Sequence, residues 1–187
     1  MALRRLRSNL ILDTPSGTLC GRFLRPGVAR VQQGKPKLLS AKPLDLTRFG
    51  LKDVHGYPVS VGNPHLVILG CRNEHLDVFE SMGAALEHHP FFPNRCNVEF
   101  CQVETGGKCL RIVIKMWERG AGRTAACGSG ACAATAAAVA AGYEAGTNES
   151  TVLVSMEGGD LIVTLDKDGV ATHEGAATFV FRGTYTV

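Results

Sequence analysis

One cysteine at the mouth of an alanine-rich run is the residue in this 187-residue sequence best placed to do chemistry. Cys127 stands in Ala125-Ala126-Cys127-Gly128-Ser129-Gly130-Ala131-Cys132, and the stretch from Ala131 to Ala141 contains neither Gly nor Pro. Alanine favours the helix more than any other residue, so this run is predicted helical, with Gly142 where a left-handed cap would end it. Cys127 then falls in the first turn. N–H groups there lack intrahelical partners and carry partial positive charge, which favours thiolate over thiol and can receive a carboxylate. Gly128 and Gly130 allow a ligand to approach the backbone closely. Apart from Thr135 the run is small and apolar on every side, the pattern of a buried helix. A free cysteine is also a common core residue, so position alone leaves both readings open. The preceding segment favours a site, because Glu118 and Arg119 place charges at the end of an apolar strand, where charge is costly without a purpose.

The elements that must position these groups follow from periodicity. Asn97 to Glu104 and Cys109 to Trp117 are predicted strands joined by Thr105-Gly106-Gly107-Lys108, with Leu110, Ile112, Ile114 and Met116 sharing one face. Such a hairpin brings Asn97 and Glu118 to the same end, beside the start of the Cys127 helix. Val59 to Gly70 reads as a strand interrupted by Gly62-Asn63-Pro64, with His65 leading into Leu-Val-Ile-Leu. Glu74 to His89 reads as one amphipathic helix in which Leu76, Phe79, Met82 or Gly83, and Leu86 recur at helical spacing. His88 and His89 sit at its C-terminal end as dipole partners, and Pro90 stops it. Strands are expected at Asn9 to Asp13, Thr18 to Leu24, Thr151 to Met156, Asp160 to Leu165 and Ala177 to Arg182. Pro26 to Pro43, basic and irregular, reads as a surface connection or short edge strand. Strands flanking one buried helix imply an α+β fold. Gly128-x-Gly130-x-x-Ala133 and Gly120-x-Gly122-x-x-Ala125 fit a dinucleotide pattern, but no abutting strand and no βαβ unit are expected there, which argues against a nucleotide site.

Composition narrows the function classes. A net charge of +3 with no basic run interleaved with aromatics argues against nucleic acid. No uninterrupted apolar stretch of membrane-spanning length is present, and the apolar part of the first residues is too brief for a signal peptide. Seven cysteines, an odd number without a C-x-x-C pair, read as reduced cytoplasmic thiols rather than a disulfide framework or structural zinc site.

The motifs Gly62-Asn63-Pro64-His65, Phe92-Pro93-Asn94-Arg95-Cys96-Asn97-Val98-Glu99-Phe100, Trp117-Glu118-Arg119-Gly120-Ala121-Gly122 and Ala126-Cys127-Gly128-Ser129-Gly130-Ala131-Cys132-Ala133 together resemble the diaminopimelate epimerases. The resemblance covers nearly the whole chain but about the second half of the family's length. It implies an α+β lobe in which a mixed sheet wraps around a central buried helix, and a cofactor-independent, metal-free inversion of diaminopimelate between its LL and meso forms. Inversion through a planar carbanion needs a base and an acid on opposite faces, supplied in the family by two cysteines. Cys127 matches the second of them. By the same match Asn63, Asn97, Glu118, Arg119, Gly128 and Ser129 would bind substrate, and His65 and Glu118 would tune the thiols. The chain departs from the pattern at Arg123, where the family usually has Glu, and in having no Cys-Gly-Asn-Gly motif, of which Cys20-Gly21 is the nearest look-alike.

The division that follows from the resemblance is residues 1–23 as a remnant of a first lobe, 24–175 as the second lobe, and 176–187 as a strand crossing back to the first. The expected form is a truncated epimerase completed by another lobe or by a second copy in a homodimer. Alternatives are a related amino-acid racemase, a thiol hydrolase using Cys127 with His65 as base, and a non-catalytic lobe that binds a partner or ligand.

Overall fold

The computed structural model describes residues 9–14, 17–107, 109–143 and 149–184. The first seven strands are β1 (Asn9–Thr14), β2 (Gly17–Arg25), β3 (Val28–Gly34), β4 (Lys37–Leu38), β5 (His55–Ser60), β6 (Pro64–Leu69) and β7 (Asn97–Glu104). They are followed by β8 (Leu110–Glu118), β9 (Gly122–Thr124), β10 (Ser150–Met156), β11 (Gly159–Leu165) and β12 (Ala171–Ala176). Three α-helices join them: α1 (Asn73–Asp77), α2 (Phe79–Glu87) and α3 (Gly128–Ala140).

All of these strands belong to one mixed sheet, in the order β1-β2-β3-β12-β11-β10-β8-β7-β6-β5-β4, with β9 attached to β8. Its parallel pairs are β6 with β7 and β8 with β10. Each parallel pair requires a crossover, made by α1 and α2 in the first case and by α3 in the second. A βαβ unit therefore does follow the glycines around Cys127, contrary to the sequence expectation. The return strand β10 begins only at Ser150, too far along the chain for the pattern to be evident. The Gly128-x-Gly130 motif still departs from a dinucleotide turn, because Ala125, Ala126 and Cys127 separate β9 from α3.

The sheet curls around α3, which packs against strands from β4 to β12. From Gly130 to Ala138 every α3 residue except Ala136 is buried, and the small side chains let the helix lie close to the sheet. Gly142 takes the left-handed conformation beyond the helix end, as expected. On β8, Leu110, Ile112, Ile114 and Met116 all face this core, in agreement with their period of two. The opposite face of β6 and β7 presents Leu66, Ile68, Val98 and Phe100 to a second core containing Phe79 and Leu86 of α2. Both faces of the central strands are thus buried.

Several elements differ from the sequence reading. The segment from residue 59 to 70 is not one interrupted strand. It is the turn and second arm of a hairpin, with Val59 opposite His65 and Ser60 opposite Pro64, so Asn63 lies at the tip. The helix expected over 74–89 breaks at Val78 into α1 and α2. His75 Nε2 of α1 donates to Lys52 O, while α2 is seated on Trp117. His89 is not a dipole partner. It is buried among Phe49 and Phe92, accepts the Phe91 N–H at Nδ1, and is held by that burial below the usual histidine range.

Val28–Gly34 is an inner strand paired with β2 and β12, and only Lys37–Leu38 forms a short edge. Conversely, residues 177–182 form no strand. After Ala177, whose N–H donates to Gly27 O, no strand among the described residues receives them, and Phe179, Val180 and Phe181 are exposed. Met1 to Ser8, Pro15, Ser16 and Lys108 lie outside the described residues.

Gly83 shows how tightly α2 is set. A Cβ there would lie 2.8 Å from Trp117 Cγ. Helix propensity alone would make Gly83→Ala stabilising by about 1 kcal/mol. The collision is expected to reverse the sign and cost about 1–3 kcal/mol, read as a lower urea midpoint at unchanged slope. A higher midpoint would mean that α2 does not rest on Trp117.

Candidate active site

Cys127 is the N-cap of α3, with extended backbone (φ −146°, ψ 117°), and its sulfur accepts the Gly130 N–H at 3.4 Å. The first intrahelical bond runs from Ala131 N to Cys127 O, so the N–H groups of Gly128 and Ser129 precede the helical ladder. Ser129 Oγ lies 3.4 Å from Cys127 Sγ. From the β5–β6 turn, Asn63 Nδ2 donates to Ser129 Oγ at 3.5 Å. Behind Asn63, its Oδ1 is 3.0 Å from His65 Nε2, and His65 Nδ1 is 2.6 Å from Glu99 Oε1. His65 and Glu99 are both fully buried.

This order corrects one alternative. His65 does not touch the sulfur of Cys127, because Asn63 and Ser129 stand between them, so the pair is not arranged as a nucleophile and its base.

Sequence position suggested that the helix N-terminus would favour a thiolate, but burial dominates. It pushes the Cys127 thiol up, with the Glu118 charge adding to the rise, while the Ser129 and Gly130 hydrogen bonds oppose it. A thiolate formed against that rise is a stronger base toward a carbon acid. The remaining cysteines are separate from this arrangement. Cys71 and Cys132 are pushed by burial to about 12, Cys96 and Cys101 are also raised by burial, and Cys20 and Cys109 are exposed. All seven are free thiols.

The end of the β7–β8 hairpin lies close enough for the Glu118 charge to act on Cys127. Val98 pairs with Trp117, which places Asn97 beside Glu118 and Arg119 as the period-two reading required. Asn97 is 5% exposed and uses its amide on backbone: Nδ2 donates to Pro64 O, and Oδ1 accepts the Arg119 N–H at 2.9 Å. It therefore ties the two sides of the site together. Thr124 Oγ1 donates to Glu118 Oε1 at 2.6 Å, and Arg119 Nη1 donates to Asn94 O. The departure at Arg123 falls outside this ring, since its guanidinium is held on the surface by Glu157 and Glu80.

Glu87 and Glu99 were not singled out from sequence, yet both shape the site. Glu87, at the end of α2, accepts from Arg95 Nη1, Trp117 Nε1 and the Gly120 N–H, each at 2.9 Å, and so fixes the loop that carries Arg119. Its position in a predicted helix followed by two histidines gave no sign of this. Glu99 offered a faint signal, a carboxylate inside the apolar Val98-Glu99-Phe100 run. From β12, His173 abuts the first turn of α3: a Cβ on Gly128 would lie 2.8 Å from its Nε2, which is also 3.1 Å from Gln33 Nε2. Among the described residues no group of three His, Cys, Asp or Glu is placed to hold a metal ion.

The family decides how this geometry is classed. Residues 57–180, which contain every site residue, match the diaminopimelate epimerase family. The chain belongs to that family. A diaminopimelate epimerase of Desulfitobacterium hafniense is 45% identical over 125 residues, covering 67% of this chain and 41% of the relative. That of Elusimicrobium minutum is 35% identical over 189 residues, covering 94% and 66% respectively. The chain thus spans between about two fifths and two thirds of the length of these epimerases. Among solved structures, a hydroxyproline epimerase of Agrobacterium vitis with bound trans-4-hydroxy-L-proline superposes with a TM-score of 0.62 at 15% identity, covering 93% of this chain and 58% of the other. A phenazine biosynthesis protein of Bacillus anthracis gives 0.60 at 14% identity, covering 92% and 66%. At such identities the likeness establishes the fold alone, an α+β lobe. Among the described residues no helix is long and apolar enough to cross a membrane.

Proposed function

We propose that this epimerase-family chain binds diaminopimelate and exchanges its α-proton through Cys127, without a cofactor, in lysine and cell-wall biosynthesis in the cytoplasm. The observation that carries the reading is the Cys127 sulfur at the N-terminus of a buried helix, beside N–H donors and within reach of the Glu118 charge. The Gly128 and Ser129 N–H groups are suited to the α-carboxylate, where partial positive charge is fixed by the helix. The same charge lies close to the carbanion formed when the Cys127 thiolate takes the α-proton. Arg119 offers a fork for the distal carboxylate, and Glu118 an anion for the distal ammonium. Asn63 and Asn97 hold these two halves in register.

A second reading is favoured by the cysteines themselves. None of the other six is hydrogen-bonded into the ring around Cys127, and four are buried. Inversion then requires an acid from a second copy or another lobe, and this chain alone would bind and exchange without inverting.

Binding is tested by calorimetric titration with LL-diaminopimelate. Arg119→Ala is expected to weaken affinity roughly tenfold or more, the worth of a charged hydrogen bond. Lysine lacks the distal carboxylate and should bind the wild type as weakly as diaminopimelate binds the variant. Equal affinity of the wild type for both ligands would rule out the substrate assignment.

A further inference from the structure

The buried pair of Glu99 and His65 does more than fill the space beneath α3. We infer that Glu99 is a positioning residue whose carboxyl proton sets the direction of a hydrogen-bond chain, Glu99 to His65 to Asn63 to Ser129, that ends on the Cys127 sulfur. This inference rests on Cys127 being the reacting group of the proposed function.

The direction follows from the chemistry of each member. Asn63 Nδ2 can only donate, so Ser129 Oγ accepts it at 3.5 Å and keeps its own hydrogen for the sulfur 3.4 Å away. Asn63 Oδ1 can only accept, so the 3.0 Å contact requires the hydrogen on His65 Nε2. The neutral imidazole then has a bare Nδ1, and the donor facing it at 2.6 Å is Glu99 Oε1 carrying a proton. The opposite arrangement, an ionised Glu99 against an imidazolium, would leave Glu99 Oε2 charged, buried and without a partner among the described residues. Burial raises the Glu99 carboxyl in the same sense.

Gly130 keeps the pair in contact with the helix. A Cβ there would lie 3.0 Å from Glu99 Oε1 and would press on Met116 Cε, so the absence of a side chain at this position lets α3 sit close on the buried carboxyl. The titratable groups that face the ensemble are His65 on β6, Glu99 on β7, Glu118 on β8 and Cys127 itself, with Cys96 and Cys101 near Glu99 and His173 of β12 against Gly128. When substrate proton transfer requires a thiolate, the Ser129 hydroxyl and Gly130 N–H both donate to it, and the upstream chain prevents Ser129 from turning its hydrogen away.

The test separates a proton-bearing acid from a carboxylate anion. In the full chain, Cys127 is alkylated with iodoacetamide across pH, and site-resolved mass spectrometry distinguishes it from exposed Cys20 and Cys109 and from Cys132. Glu99→Gln keeps a donor facing His65 Nδ1, and its alkylation profile is expected to track the wild type. Glu99→Leu removes the donor and is expected to move the profile to higher pH, with a rate roughly tenfold lower on its acid limb. A Gln variant displaced as far as the Leu variant, or a Leu variant coinciding with the wild type, would overturn the assignment. If the Leu variant does not fold, nitrogen NMR of His65 in the wild type decides: a protonated Nε2 with bare Nδ1 is expected, and an imidazolium would refute it. None of these readouts involves diaminopimelate. A chain that shows them but never exchanges substrate refutes the proposed function and leaves the Glu99 assignment standing.

Discussion

Cys127→Ala is expected to abolish α-proton exchange with diaminopimelate, a loss of at least about 10²-fold for removal of a general base, while the fold persists. Among the described residues the sulfur hydrogen-bonds to Ser129 Oγ and the Gly130 N–H, so its removal sacrifices one helix cap. A lost N-cap costs about 1 kcal/mol. Circular dichroism and a urea titration check the second half of this expectation, and deuterium uptake at the α-carbon checks the first. Exchange that survives in the alanine variant would mean that another group removes the proton. A serine hydroxyl at position 127 is too weak an acid to supply an alkoxide base at neutral pH, so Cys127→Ser is expected to behave as the alanine variant does.

Glu87→Ala is expected to be the more damaging substitution for stability. Glu87 lies 6% exposed and gathers Arg95, Trp117 Nε1 and the Gly120 N–H around one carboxylate. Alanine removes the acceptor of all three donors, of which the half-exposed Arg95 can turn to water, at a cost of about 2–4 kcal/mol, and frees the loop that aims Arg119. Faster amide exchange at Gly120 and weaker diaminopimelate binding should accompany the lower urea midpoint. The effect depends on pH with a defined sign. Burial works against the Glu87 charge, but Trp117, Gly120, Arg95 and His88 together hold its carboxyl below the usual 4.5 of a glutamate. A depressed carboxylate contributes stability that is present above pH 4.5 and lost as pH falls through its folded value. The stability gap between wild type and Glu87→Gln should therefore shrink on acidification below that point. A gap that widened there would show that the network does not stabilise the ionised form.

How much of this was legible in the sequence depended on how local the cause was. The α3 helix and its cysteine could be read because alanine propensity and the absence of Gly and Pro act within one segment. The meeting of Asn97 with Glu118 could be read because a two-residue period and a glycine turn fix a hairpin register. Glu99 could not, since β6 and β7 are buried on both faces and their apolar runs do not say which side a lone carboxylate takes. The same limit concealed β12, whose Ala-Thr-His-Glu-Gly-Ala sequence lacks strand propensity and is held by pairing with β3 and β11. In the other direction, Thr178-Phe179-Val180-Phe181 has the propensity of a strand but no neighbour to pair with among the described residues. His65 stood out by type, while its separation from the thiol depended on the β5–β6 turn placing Asn63 between them.

The most direct measurement is hydrogen isotope exchange at the α-carbon. The purified chain is incubated in deuterated water with LL-diaminopimelate and separately with the meso form, and both deuterium content and stereochemistry are followed, with Cys127→Ala as control. Deuterium should enter one of the two forms in a Cys127-dependent manner, because a single thiol can remove and return a proton on one face. Conversion between the forms would show in addition that a second acid is recruited from a partner copy. Diaminopimelate that binds but takes up no deuterium in either form would contradict the assignment of Cys127 as the base.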